Sequence, residues 1–261
     1  MKCYPNHTKQ QLIDGKVAIG MGVRLSRTVE IAAIAKTCGF DWLFIDMEHG
    51  TIDLDTAAAI ANAALPLGIT PLLRVPGKEH HHSSRMLDNG VQGIVIPHVD
   101  SAEEARAAVS YCRYAPHGTR SISGAQPQFG FETVPLDQMV TQLDEQTMVI
   151  VMIESPKGVE NIDKILEVPG IDAVMVGTSD LSLEMGIPGQ LDHPKIKSAI
   201  KNIIASCHKN KIHPGIGGVH ELSLVKAYID MGMRFILGGN DFRFMMSAGE
   251  EMAQTLRKMH S

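Results

Sequence analysis

Carboxylates and nitrogen bases recur in this chain at one kind of place, at or just beyond the end of a short apolar run. VIVMIE ends in Glu154 and AVMVGTSD ends in Asp180. Two acids at such ends, with no His or Cys beside them, suit a hard divalent cation, Mg²⁺ or Mn²⁺ before Zn²⁺, because those ions prefer oxygen ligands. The competing reading is structural: Glu154 pairs with a rim arginine, and Asp180 caps a helix beginning near Leu181. The run DWLFIDMEHG delivers Asp46, Glu48 and His49; TPLLRV delivers Arg74, GIVIPHV delivers His98, and Asn240 and Asp241 follow RFILGG. Asp46 is close enough in sequence to orient the His49 imidazole and raise its basicity for proton transfer near neutral pH. Alternatively, His49 only bonds a backbone carbonyl as the chain turns at Gly50.

Arg74 closes an apolar run, where a lone guanidinium is costly unless an anion meets it. That anion is a substrate carboxylate or enolate oxygen, or else Asp46 or Glu48 in a rim ion pair. Glu48, alternating with Asp46, either reaches a metal through water or faces a neighbouring loop. The small residues of GTSDLS let backbone N–H groups of Thr178, Ser179 and Asp180 approach a substrate carboxylate. Lys157 offers a rival route through a Schiff base, but it lies three residues beyond the end of its apolar run, between Pro156 and Gly158, and is disfavoured. The triplet His80, His81 and His82 reads as a solvated helix face.

These residues need elements to position them. Apolar runs start near residues 17, 42, 70, 93, 148, 173, 212 and 234, most of them separated by a segment with helical spacing. Runs of Val, Ile, Leu and Met without alternation describe strands buried on both faces. Eight such parallel strands with right-handed crossovers imply a closed (β/α)₈ TIM barrel, whose active site lies where the strands end. A doubly wound open sheet is the alternative, but no G-x-G-x-x-G follows the first strand. Residues 114–135, rich in Gly, Pro, Ser and Gln, read as a loop folding over the site. With no linker, residues 1–261 read as a single barrel domain.

The formal net charge of −5, without a Lys/Arg block, argues against nucleic acid or an anionic membrane as partner. The opening MKCYPNHTKQQ is polar and no apolar run approaches the ~20 residues of a membrane span, so a cytoplasmic protein is expected. Four widely spaced cysteines lack a C-x-x-C pair and read as reduced thiols.

With these residues assembled, the sequence resembles the metal-dependent, class II pyruvate aldolases of the 4-hydroxy-2-oxoheptanedioate and 2-dehydro-3-deoxyglucarate aldolase family. The matching stretches include FDWLFIDMEHG, LLRVPG, MLDNGVQGIVIPHVDSAEEA, RYAPHGTRS and IESPKGVENIDKILEVPGIDAVMVGTSDLSLEMG. The resemblance implies a barrel of the phosphoenolpyruvate/pyruvate-binding type and a pyruvate enolate mechanism on 4-hydroxy-2-oxo acids. It implies Glu154 and Asp180 as ligands of Mg²⁺, Mn²⁺ or Co²⁺, His49 with Asp46 as acid/base dyad, and Arg74 as the enolate's partner. It also implies that Asp88 is contributed to a neighbouring subunit's site in a homohexamer, a trimer of dimers with swapped C-terminal helices formed by residues 248–259. Three positions depart from the family pattern: Met152 replaces the usual Gln, GTSD replaces G-P-A-D, and Tyr114-Ala115-Pro116 replaces Y-P-P. Oxaloacetate decarboxylation, or binding of an oxo acid without turnover, are the alternative functions.

Overall fold

In the computed structural model, which describes residues 2–259, all eight expected strands are present. They are β1 Ala18–Val23, β2 Trp42–Asp46, β3 Thr70–Arg74, β4 Gly93–Ile96, β5 Met148–Ile153, β6 Ala173–Gly177, β7 His213–Gly217 and β8 Phe235–Asn240. Each pairs in parallel with the next, and β8 returns to β1 to close the barrel. The unalternating runs are explained by two cores. Trp42, Phe44, Leu72, Val95, Ile150 and Met175 point into the barrel. Their neighbours Leu43, Ile45, Leu73, Ile94, Val151 and Val174 pack outward against the helices. Since successive side chains on a strand face opposite sides, an apolar residue is needed at every position.

One contact shows how closely the inner layer is packed. The Trp42 ring stacks on Phe235 with centroids 4.2 Å apart, and β1 passes it at Gly20. A Cβ at Gly20 would lie 2.2 Å from the indole, so β1 must be bare there.

The helices are α1 His7–Ile13, α2 Glu30–Thr37, α3 Leu54–Leu67, α4 His80–Asp88, α5 Ala102–Cys112, α6 Leu136–Gln146, α7 Pro156–Glu160, α8 Ile162–Leu166, α9 Thr178–Glu184, α10 Pro194–Asn210, α11 Leu222–Asp230 and α12 Asp241–Lys258. Local signals set several ends. Asp53 accepts from Thr56 N at 2.8 Å to start α3, Ser101 caps α5, and Gly68 ends α3 in the left-handed region at φ 65°. None of the helices among the described residues is long and apolar enough to cross a membrane.

The structure departs from the sequence expectations at four places. The polar opening contains α1, which buries Leu12 in the inner core. There the Asn6 amide donates to Gln92 O and Gln146 O, tying α1 across the N-terminal ends of the strands. Residues 114–135 do not cover the strand ends. Tyr114 and Phe129 pack with Cys3, Met139 and Leu143, and Gln128 Nε2 donates to the carbonyls of Leu87 and Val91. Next, α9 begins at Thr178 with Gly177 as its cap residue, so Asp180 lies inside the first turn and not at the cap. Finally, α12 begins at Asp241, seven residues before the expected segment 248–259.

Candidate active site

A cavity of about 310 Å³ opens at the C-terminal ends of the strands. Its walls include Arg24 after β1, Asp46 at the end of β2 and His49 after it, Arg74 of β3, Glu154 after β5, and Thr178, Ser179 and Asp180 at the start of α9. Met152, Met175, Leu237 and Phe44 supply apolar surface. Of the residues expected at the strand ends, Glu48, His98 and Asp241 do not line the cavity, and Asp88 lies elsewhere. Its carboxylate accepts from Arg120 Nη2 at 2.8 Å, and the buried Arg120 lies over the Tyr114 ring. Lys157 does not line the cavity.

The centre of the site is an ion network built by strand register. Asp46 of β2 and Arg74 of β3 are register partners. Arg74 Nε and Nη2 donate to the two Asp46 oxygens at 3.0 and 2.8 Å, a bidentate pair, while Nη1 lies 2.7 Å from Glu48 Oε2. Asp46 Oδ1 also accepts the backbone N–H groups of Glu48 and His49 at 3.1 and 3.2 Å. Burial alone would raise the Asp46 carboxyl. The hydrogen bonds and charge of Arg74, with the His49 and Glu48 N–H groups, outweigh it and hold the carboxyl below the usual aspartate range. Arg74 is likewise held more firmly protonated, since Asp46, Glu48 and Glu154 outweigh its burial.

The expected Asp46–His49 dyad takes a different form. Asp46 reaches the His49 backbone N–H and not the ring. The imidazole is 51 % exposed at the cavity mouth, with Nε2 3.9 Å from Glu48 Oε2. A carboxylate already shared by a guanidinium and two amides has little left to offer an imidazole; Glu48 is the acid beside that ring.

Glu154 is buried, and its Oε1 accepts the His98 backbone N–H at 2.8 Å. His98 adopts φ 50°, a strained value for a residue with a side chain, which turns that N–H onto the carboxylate. The His98 ring is held between Glu154 Oε1 at 3.7 Å and Glu48 Oε1 at 4.0 Å. Burial raises the Glu154 carboxyl above its usual range, and His98 and Arg74 only partly offset it. Opposite, β6 is bare at Gly177, where a Cβ would sit 2.3 Å from Glu154 Oε2.

Glu154 and Asp180 thus line one cavity as an all-oxygen donor pair. No group of three or more His, Cys, Asp or Glu among the described residues is placed to hold a metal ion. The oxygen-only pair is a donor set that fits a hard divalent cation, which completes its shell with water and substrate oxygens. The buried, charge-disfavouring place of Glu154 and its bare approach over Gly177 also fit a cation.

Sequence reasoning missed Arg24, His220 and Leu237 in the cavity wall. Arg24 had the same signal as Arg74, an arginine closing an apolar run. Asn240 lines the cavity as expected and also caps α12 by accepting from Arg243 N, whereas Asp241 serves structure, accepting the backbone N–H groups of Arg24, Leu25 and Ser26.

A sequence profile described as HpcH/HpaI aldolase/citrate lyase matches residues 24–248. The chain is 36 % identical over 257 residues to a 4-hydroxy-4-methyl-2-oxoglutarate aldolase of Hapsidospora irregularis, covering 97 % of this chain and 95 % of the relative. It is 33 % identical to a 5-keto-4-deoxy-D-glucarate aldolase of Klebsiella pneumoniae, covering 98 % of each. Among solved structures, an HpcH/HpaI aldolase from Desulfitobacterium hafniense superposes with a TM-score of 0.91 at 28 % identity, covering 95 % of this chain and 96 % of that one.

Proposed function

This chain belongs to the HpcH/HpaI aldolase/citrate lyase family, and on that premise we propose that it reversibly cleaves 4-hydroxy-2-oxo acids to pyruvate and a carbonyl compound through the pyruvate enolate. The observation that carries the reading is the convergence, in one cavity, of an oxygen-donor pair, a buried guanidinium and an exposed imidazole.

In the cleavage direction His49 takes the proton from the C4 hydroxyl, through a water where the ring does not reach it directly. The C3–C4 bond then breaks, its electron pair passes into the pyruvate fragment as an enolate, and the C4 oxygen becomes the carbonyl of the departing fragment. Asp46 takes two of the five N–H donors of Arg74, leaving the others for Glu48 and for the developing enolate oxygen. Asp46 therefore acts by fixing Arg74 and the His49 backbone, and Glu48, 3.9 Å from His49 Nε2, is the acid beside the imidazole. Thr178, Ser179 and Asp180 meet the substrate carboxylate at the cavity floor, with Thr178 held by its own bond to Gly217 O at 2.9 Å. Glu154 and Asp180 would hold a divalent cation, Mg²⁺ or Mn²⁺ and alternatively Co²⁺, that supplies Lewis-acid stabilisation of oxyanion charge when bound.

Completion of the site by a second chain belongs to the same proposal. Asp88 is remote from this chain's cavity, and α12 leaves Phe242, Met245, Met252 and Leu256 exposed. Both fit a homo-oligomer, a hexamer with exchanged C-terminal helices, in which Asp88 serves a neighbouring site.

The test is deuterium exchange into the pyruvate methyl group, followed by NMR with metal-free protein and after adding Mg²⁺ or Mn²⁺. Exchange that needs the metal and disappears in His49→Ala is expected. A folded protein that shows no exchange in either condition would remove the enolate mechanism, and exchange that survives chelation would redirect attention to Lys157.

A further inference from the structure

Two permanently charged cations line the cavity among the described residues, and the proposed reaction uses only one of them. Arg74 is committed to Asp46, Glu48 and the enolate. Arg24 projects from the turn after β1, its side chain 43 % exposed at the cavity mouth. Its Nη2 donates to the His49 carbonyl at 2.9 Å, and its Nε lies at the longer distance of 3.5 Å from Asp46 Oδ2, which already accepts Arg74 Nη2 at 2.8 Å. The guanidinium is tethered beside His49 but not consumed by a close carboxylate.

Position relative to His49 determines what such a cation can recognise. His49 serves the hydroxyl on C4, so substituents on that carbon lie on the side of the cavity where Arg24 is tied. A planar guanidinium at a partly exposed site suits a carboxylate, which it can grip with two parallel bonds. Arg24 is bonded to the backbone carbonyl of the residue whose ring handles the C4 hydroxyl, and on that placement the carboxylate it meets is assigned to C4 and not to the end of a longer tail.

We propose that Arg24 is a specificity-determining residue that selects substrates bearing a second carboxylate on C4, so that the electrophile released or captured is a 2-oxo acid and not a simple aldehyde. The proposal rests on the aldolase reading above.

The experiment compares cleavage of 4-hydroxy-4-methyl-2-oxoglutarate, 4-hydroxy-2-oxoheptane-1,7-dioate and 4-hydroxy-2-oxopentanoate, measured as pyruvate released with Mg²⁺ or Mn²⁺ at fixed ionic strength. Wild-type protein should favour the first over the last by about tenfold or more in kcat/KM, with the distal dicarboxylate nearer the last. Arg24→Gln should shrink that ratio to within about twofold, chiefly through KM, and Arg24→Lys should restore part of it. An unchanged ratio in Arg24→Gln, or an equal slowing of all three substrates, overturns the proposal; the second result would make Arg24 a support for Asp46. If wild-type protein cleaves none of the three and exchanges no pyruvate methyl protons, the aldolase reading itself has failed, and the specificity claim with it.

Discussion

Asp46 and Arg74 stand side by side in register on β2 and β3, and the guanidinium grips the carboxylate with two bonds of 3.0 and 2.8 Å. Both side chains are almost fully buried, so the pair cannot be relaxed by water. This makes it a structural as well as a chemical element. Removing one partner strips the other buried charge of its closest compensation, leaving Asp46 only Arg24 at 3.5 Å or Arg74 only Glu48 at 2.7 Å, which costs more than losing an exposed pair would.

Replacing Arg74 by Ala should therefore destabilise the protein by about 3 kcal/mol or more, read from urea denaturation, and lower kcat about 100-fold or more. Arg74→Lys should keep most of the stability but not the rate, since an ammonium cannot present the same fork. A lysine variant with full activity would show that the guanidinium's geometry is irrelevant to the chemistry.

Acid stability should carry the signature of Asp46. Its folded carboxyl is depressed by Arg74 and the two backbone N–H groups. A depressed acid contributes stability that is fully present above the unfolded aspartate range, near pH 4, and is lost as pH falls through the lower folded value. Asp46→Asn should be less stable at pH 7 and show a shallower loss below pH 4 than wild type, measured by denaturation at a series of pH values. Parallel curves for the two proteins would deny Asp46 this role.

Glu154 carries the opposite strain: its carboxyl is raised by burial, so in metal-free protein at neutral pH the ionised group costs stability. Glu154→Gln should melt higher than wild type in the presence of a chelator, by the equivalent of roughly 1 kcal/mol. Wild type should gain thermal stability on addition of Mg²⁺ or Mn²⁺ through mass action, and the variant should not. Equal metal-induced shifts in both would place the cation elsewhere.

Met152 lies on the cavity wall with Sδ 3.9 Å from Arg74 Nη1. Met152→Gln introduces an amide that can accept from that nitrogen and face the substrate. We expect KM for the 2-oxo acid to fall a few-fold, with stability changed by less than about 1 kcal/mol. Steady-state kinetics and a melting curve decide it, and an increase in KM would mean that the thioether is the better wall.

The exposed apolar face of α12 predicts an assembly. Met252 is 60 % and Leu256 57 % exposed in a single chain. Changing both to Glu should shift the protein to a smaller species in light scattering and lower activity per chain, because the remote Asp88 would no longer be delivered to a neighbouring cavity. A variant of unchanged mass would show that this face is not buried by a partner.

The sequence by itself determined the barrel and most of the groups at its mouth. An apolar run buried on both faces has no alternation to hide its boundaries, and its first polar residue marks the strand's exit; this is why Asp46, Arg74 and Glu154 could be placed from spacing alone. It did not determine α1, whose polar residues bond backbone groups at the barrel's lower end, because those partners are distant in sequence. Nor did it determine who pairs with whom at the site. Chain proximity suggested Asp46 with His49, but β2–β3 register brings Asp46 to Arg74, twenty-eight positions away, and leaves the imidazole beside Glu48. Arg24 was passed over for the same reason: its place in the cavity depends on a fold that brings the turn after β1 against the one after β2. Local pattern fixes where a strand ends. Only closure of the barrel fixes which ends meet.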